Sequence, residues 1–360
     1  ISRRGVVKQT KKEFILGLTI IITLTLLIML IFLVMFNKSS NSKLKQTKDR
    51  RISSTSTTRT SSSSHDQKIV EKSLEKKKMV MEQDMELMNA YRLYYDYAHL
   101  SLKEVVLAYM SEYGIEKNSV AFSYKNLKTG QRDAMNDTQA MTAGSTYKLP
   151  LNMLVVDAVV KGKLSMEERF DITETDYEYI GEHNNYVAAF SGAMSIDDMQ
   201  KYSLVYSENT PAYALAERIG GMDSAYSKFG RYGQSKGDIK NIQKNGNKVT
   251  TDYYIQVLDY LWKHRKKYDS LITYLEEAFP TDYYRALIPS DVVVAQKPGY
   301  VREALNVGAI VKEEVPYIVA IYTAGLGGST QEDSEINGVG LYQLEQLCFV
   351  INQWHRVNMN

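Results

Sequence analysis

The sequence predicts an α+β domain over its carboxyl-terminal three quarters, and three observations carry that reading. Apolar residues recur at helical spacing from residue 84, as Met88, Tyr91, Tyr94 and Tyr95 and then Leu102, Val105, Val106 and Tyr109. Strand-like runs stand at 120–124 and, beyond a Gly-terminated turn, just before residue 145; others return at 292–297, 306–311 and 315–323. Between these groups, residues 145 to about 279 are mostly helical in pattern, and a last helical stretch covers about 339–354. This order predicts an antiparallel sheet with the terminal helices on one face and the helical part docked against an edge.

Composition narrows the function classes. The 360 residues suffice for one large domain or two small ones, and a net charge of +2 gives no reason to expect a nucleic-acid partner. The lone cysteine, Cys348, lies in an apolar stretch and reads as a small buried hydrophobe, so no disulfide can form within the chain. Histidines at 65, 99, 183, 264 and 355 lack metal-ligand spacing, so neither a metal nor another cofactor is expected. The 27 tyrosines suit a carbohydrate or peptide surface, or half-buried helix packing.

At the amino end, residues 14–36 form a run of 23 without a charge, long enough to cross a bilayer as an uncleaved anchor. Basic residues flank both sides, so charge alone does not orient it. Residues 1–13 are expected to be a short cytoplasmic tail. Residues 37–84, Ser/Thr-rich and then highly charged, are expected to be a disordered tether and stalk, which leaves 85–360 as the folded, extracytoplasmic domain of a single-pass membrane protein.

Three motifs carry chemistry. In Ser145-Thr146-Tyr147-Lys148 a hydroxyl and an amine three residues apart share a helix face, the minimal pairing of a nucleophile with a base. Ser207-Glu208-Asn209 precedes a helix predicted to start with Thr210 as cap and Pro211 in its first turn, leaving Ser207 and Asn209 on a loop. Lys297-Pro298-Gly299-Tyr300 ends a Val-rich strand, with a fixed positive charge at Lys297 and room for a ligand against Gly299.

Together, Ser-x-x-Lys, Ser-x-Asn and Lys-x-Gly in this order resemble the motif set of class A β-lactamases and penicillin-binding proteins, over roughly residues 85–358. The resemblance implies the β-lactamase-like fold, an antiparallel sheet with flanking terminal helices plus a helical subdomain. It implies that Ser145 is the acylated nucleophile, Lys148 its base or proton relay, and Ser207 the group passing a proton to the leaving nitrogen. Lys297 would supply positive potential for a substrate carboxylate, Asn209 and Gly299 would bind substrate, and the Ser145 and Tyr300 backbone N–H groups would form the oxyanion hole. The substrate would be a β-lactam or a peptidoglycan stem peptide ending in D-alanine.

Two departures qualify that expectation. Class A β-lactamases use a loop glutamate to activate the deacylating water, whereas no glutamate occurs here between Glu217 and Glu276. Asp238 is the one acidic residue in the basic segment 230–251 placed to substitute, and slow deacylation is expected. Pro298 also replaces the usual hydroxyl residue, removing a hydrogen bond to the substrate carboxylate. The alternative reading is a catalytically inactive module that holds wall peptides or a protein partner.

Overall fold

A computed structural model describes residues 64–175, 180–301, 303–328 and 335–359. The predicted anchor at 14–36, the tail before it and most of the tether lie outside these residues. Among the described residues no helix is long and apolar enough to cross a membrane.

Helices α1 (Ser64–Gln83), α2 (Met85–Tyr91) and α3 (Leu102–Glu112) lead into β1 (Val120–Asn126) and β2 (Arg132–Met135). Ser101 and Glu104 form a reciprocal capping box at the start of α3. Strands β7 (Val293–Val301), β8 (Ala304–Lys312) and β9 (Tyr317–Thr323) follow the helical insertion, and α11 (Gly338–Asn358) closes the fold. The five strands lie in the order β2-β1-β9-β8-β7, with every neighbour antiparallel, so β7 is an edge strand. The strand that carries Lys297 runs on to Val301, which places Gly299 and Tyr300 within the sheet.

Alternation along the strands sorts side chains onto two covered faces. Phe122, Tyr124, Val307, Ala309, Val319 and Ile321 face the terminal helices, with Val106 and Tyr109 of α3 and Leu347 and Phe349 of α11 in the same core. Ala121, Ile310, Ile318, Ala320 and Tyr322 face the opposite way, into the helical insertion. The insertion therefore covers the second face of the sheet and does not merely abut an edge. The strands are apolar on both sides, and this dual burial is its physical cause.

The insertion contains β3 (Met141–Thr142), α4 (Lys148–Val160), β4 (Arg169–Asp171), α5 (Ile180–Phe190), β5 (Ala193–Ser195), α6 (Ile196–Val205), α7 (Asn209–Arg218), α8 (Met222–Lys228), β6 (Lys248–Val249), α9 (Thr251–Lys263) and α10 (Asp269–Glu276). Two short sheets, β3 with β6 and β4 with β5, pin its loops. Helix α4 is apolar almost all round and buried for most of its length, as expected of a helix at the centre of a helical layer.

One buried carboxylate ties this layer together. Asp157 on α4 accepts hydrogen bonds from Arg231 (2.8 Å), Tyr232 (3.1 Å) and Tyr268 (2.7 Å), and pairs with Lys267. Burial pushes its pKa up, but the hydrogen bonds from Lys267, Tyr268 and Arg231 outweigh burial and hold it below the usual carboxylate range. Asp157→Ala leaves these donors without their acceptor and is expected to destabilise the domain by about 3 kcal/mol, read as a lower urea midpoint. Because the folded pKa is depressed, the stabilisation is complete above the unfolded carboxylate value. It is lost as pH falls through the folded one, and the variant's deficit should shrink in acid.

Candidate active site

The nucleophile motif lies on a single 3₁₀ turn, Gly144–Tyr147, that runs directly into α4 at Lys148. Several side chains from the sheet and from α9 hold this turn from below. Tyr254 donates to the Thr146 carbonyl (3.1 Å), Tyr322 donates to Thr146 Oγ1 (2.8 Å), and Thr146 Oγ1 donates to the Ala143 carbonyl (2.8 Å). Asn306 on β8 donates to the Thr142 carbonyl (2.6 Å), and its Oδ1 accepts from the Thr323 N–H (3.0 Å). Tyr254, Tyr322, Thr146, Asn306 and Thr323 are all buried, so partly exposed Ser145 is presented from a packed base.

The end of β7 lies flat against the turn. Gly144 has φ +56°, and a Cβ there would stand 3.0 Å from the Tyr300 nitrogen and 3.1 Å from the Gly299 carbonyl carbon. A Cβ on Gly299 would stand 2.7 Å from the Ala143 oxygen and 2.8 Å from Thr146 Cγ2. Glycine at both positions is what allows the two backbones to approach. The Tyr300 and Ser145 N–H groups thus come from adjoining segments, as an oxyanion hole requires.

Ser207 is where the two lysines meet. Lys148 donates to the Ser207 carbonyl, and Lys297 donates to Ser207 Oγ (2.8 Å) and to the Pro298 carbonyl (3.0 Å). Both lysines are fully buried. Burial, and then the neighbouring Lys148 charge, pull the Lys297 pKa well below the ordinary lysine range. Ser207 adopts φ +59°, a left-handed conformation costly for a residue with a Cβ, and its hydroxyl and carbonyl are both held.

The helix bearing the second motif starts differently from expectation. Helix α7 begins at Asn209 and not after Thr210, and Glu208 in the cap position makes no side-chain cap bond. Glu182, on α5, supplies the acceptor instead. Its carboxylate accepts from the Asn209 N–H (2.9 Å), the Thr210 N–H (2.8 Å) and the Thr210 hydroxyl (2.9 Å). A carboxylate at a helix start is favoured by the exposed N–H groups and the dipole. Glu208 is half-buried, and burial followed by the nearby Glu182 charge pushes its pKa up to about 7, against an opposing pull from Lys148.

In front of the turn opens a cavity of about 550 Å³ that holds Ser145, Asn209 and Tyr300 in its wall. Its far side is formed by Tyr213 and Glu217 of α7, Tyr226 of α8, and Lys244 and Asn247 of the segment before β6. Asn247 Nδ2 reaches the Gly144 carbonyl at 3.5 Å. Asp238 is exposed and is not part of the wall. Of the sequence-predicted site residues, Ser145, Asn209 and Tyr300 line this cavity, Lys148 and Lys297 meet at Ser207, and Gly299 packs against the turn that carries Ser145. The sequence reading missed Glu182, Asn306, Tyr254, Tyr322, Lys244 and Asn247; the alternating polar positions at Asn306 and Tyr322, facing opposite a buried apolar run, were the available signal.

A model of the "Beta-lactamase enzyme family" matches residues 101–342, about two thirds of the chain. The chain belongs to the β-lactamase enzyme family, and as such it is a serine β-lactamase-like hydrolase. No curated protein sequence matches it. Among solved structures it is similar to a β-lactamase from Burkholderia vietnamiensis, at 18% identity and a TM-score of 0.57, covering 70% of this chain and 96% of that one. It is equally similar to an ancestral class A β-lactamase, at 17% identity and TM-score 0.57, covering 70% and 99%. PBP-A aligns at 14% identity and TM-score 0.57, covering 69% and 94%. At such identities the likeness establishes the fold, which is the α+β β-lactamase-like one with its five-stranded antiparallel sheet.

Proposed function

We propose that the protein forms an acyl-enzyme on Ser145 with β-lactams or D-alanine-terminated wall peptides and releases it slowly. One observation carries the reading: Lys148 and Lys297, from motifs 149 residues apart, converge on Ser207 beside the turn that presents Ser145. In this reading Ser145 Oγ attacks the amide or lactam carbonyl while Lys148 takes its proton, directly or by relay. Ser207 then protonates the leaving nitrogen, with Lys297 holding Ser207 and a substrate carboxylate in positive potential. The Ser145 and Tyr300 N–H groups stabilise the oxyanion, at about 3 kcal/mol per donor. Asn209 holds the substrate's side-chain amide, and Gly299 keeps the strand close to it. A PBP-A variant was captured as an acyl-enzyme complex with penicillin G, and the shared fold supports the same chemistry here.

Slow release follows from the wall opposite Ser145. The segment 229–249 contributes Lys244 and Asn247 to it, neither of which can act as a carboxylate base. Among the described residues, the acidic side chain on the wall is Glu217, eight residues along α7 from Asn209, about 12 Å of helix rise. We also assign residues 14–36 as a membrane anchor that places the domain at the cell wall, on the strength of their charge-free length.

The test is intact-protein mass spectrometry of the full chain through a time course with benzylpenicillin. The expected result is a one-to-one adduct that persists long after free drug is removed. Rapid product formation without an adduct contradicts slow release. No adduct and no product favours the binding module.

A further inference from the structure

A recess of about 320 Å³ opens between the end of α4, the α7–α8 turn and the segment after α8. Five cations line it, Lys161, Lys163, Arg218, Lys228 and Arg231, against one carboxylate, Asp157. That carboxylate is already engaged by both Arg231 and Lys267. Among the described residues, Lys161, Lys163, Arg218 and Lys228 form no ion pair.

Arg218 shows the most construction. Its guanidinium lies 3.9 Å from the centroid of the Phe170 ring, and its Nε is buried without a hydrogen-bond partner among the described residues. A guanidinium held over an aromatic ring has its planar fork preorganised for an oxyanion. Lys228 is braced by Ser224 Oγ (2.6 Å) and the Ile219 carbonyl (3.3 Å), which fixes its ammonium at the rim. Cations near the ends of α4 and α7 complement the helix dipoles, and that accounts for one or two of them. It does not account for four cations without an ion pair among the described residues, brought by separate segments to one concavity where their charges repel one another.

We propose that this recess binds a phosphate-bearing anion with two adjacent charged groups. The recess is concave and small, which fits a discrete diphosphate-like group better than a flat surface, and the donors are those that recognise phosphate oxygens. The site is separate from Ser145, so occupancy does not require the acylation chemistry.

Calorimetric titration of the full chain with inorganic pyrophosphate at low ionic strength tests this. The wild type should bind, binding should weaken as KCl is added, and affinity should fall about tenfold in Lys161→Gln/Lys163→Gln and again in Arg218→Gln. The lysine pair is exposed, so that variant should keep the wild-type melting midpoint and react normally with penicillin. A parallel arm titrates the full chain with inorganic phosphate, which carries a single phosphoryl group. Pyrophosphate should bind more tightly than phosphate, and equal affinity contradicts a ligand with two adjacent charged groups. Absence of binding in both arms, or binding equal in wild type and variants, overturns the proposal.

Discussion

Ser145→Ala is expected to abolish covalent labelling by a fluorescent penicillin, with the acylation rate falling on the order of 10⁴-fold or more. The turn around residue 145 is fixed by contacts that do not use the serine hydroxyl. Thr146, Asn306, Tyr254 and Tyr322 hold its backbone, and Gly144 and Gly299 set its distance from β7. The variant should therefore fold normally and keep its cavity, and non-covalent binding of the drug should survive. Loss of labelling with an unchanged melting midpoint isolates the nucleophile. Full labelling of the variant would place the chemistry on another side chain.

Lys148→Ala should have the second largest effect, a fall in acylation of about 10³-fold, within the range of a missing general base. Lys148 is fully buried and holds the Ser207 carbonyl, while Lys297 holds the Ser207 hydroxyl. Removing Lys148 thus takes away the base and also one of the two restraints on a residue in a left-handed conformation. Burial, and then the charge of Lys148, pull the Lys297 pKa well below the ordinary lysine range, which favours a neutral amine at this pair of buried groups. Lys148→Arg should not restore the rate, because a guanidinium retains its proton and cannot serve as base. A rate in either variant within threefold of wild type, measured by stopped-flow labelling near neutral pH, would remove Lys148 from the mechanism.

How much of this was legible beforehand depends on the range of the interactions. The Ser145–Lys148 spacing is a local property of a helical turn, so it could be read from sequence alone. The strand that carries Lys297 was equally visible from its valines, although its extension through Pro298 to Val301 was not; a proline is tolerated there because β7 is an edge strand. What could not be read were contacts between segments with no shared local pattern. Asn306 reaches back to Thr142 across more than 160 residues. Glu182 replaces the expected Thr210 cap from a different helix. The tyrosines illustrate the same limit: Tyr253, Tyr254, Tyr317 and Tyr322 are buried core residues, whereas Tyr213, Tyr226 and Tyr300 line the cavity. Composition cannot separate the two sets, because a tyrosine satisfies either role with the same ring and hydroxyl. The edge docking expected for the helical part also failed for a tertiary reason, since it is the double-sided burial of β8 and β9 that draws α9 across the sheet.

Peptide mapping of the benzylpenicillin-treated full chain tests the convergence of the three motifs most directly. A penicilloyl group on the peptide containing Ser145, strongly reduced at equal exposure when Lys148 or Lys297 is replaced, is the outcome expected if both amines act on one hydroxyl through Ser207. Modification at any other residue, or labelling of Ser145 that is indifferent to both lysines, would contradict it.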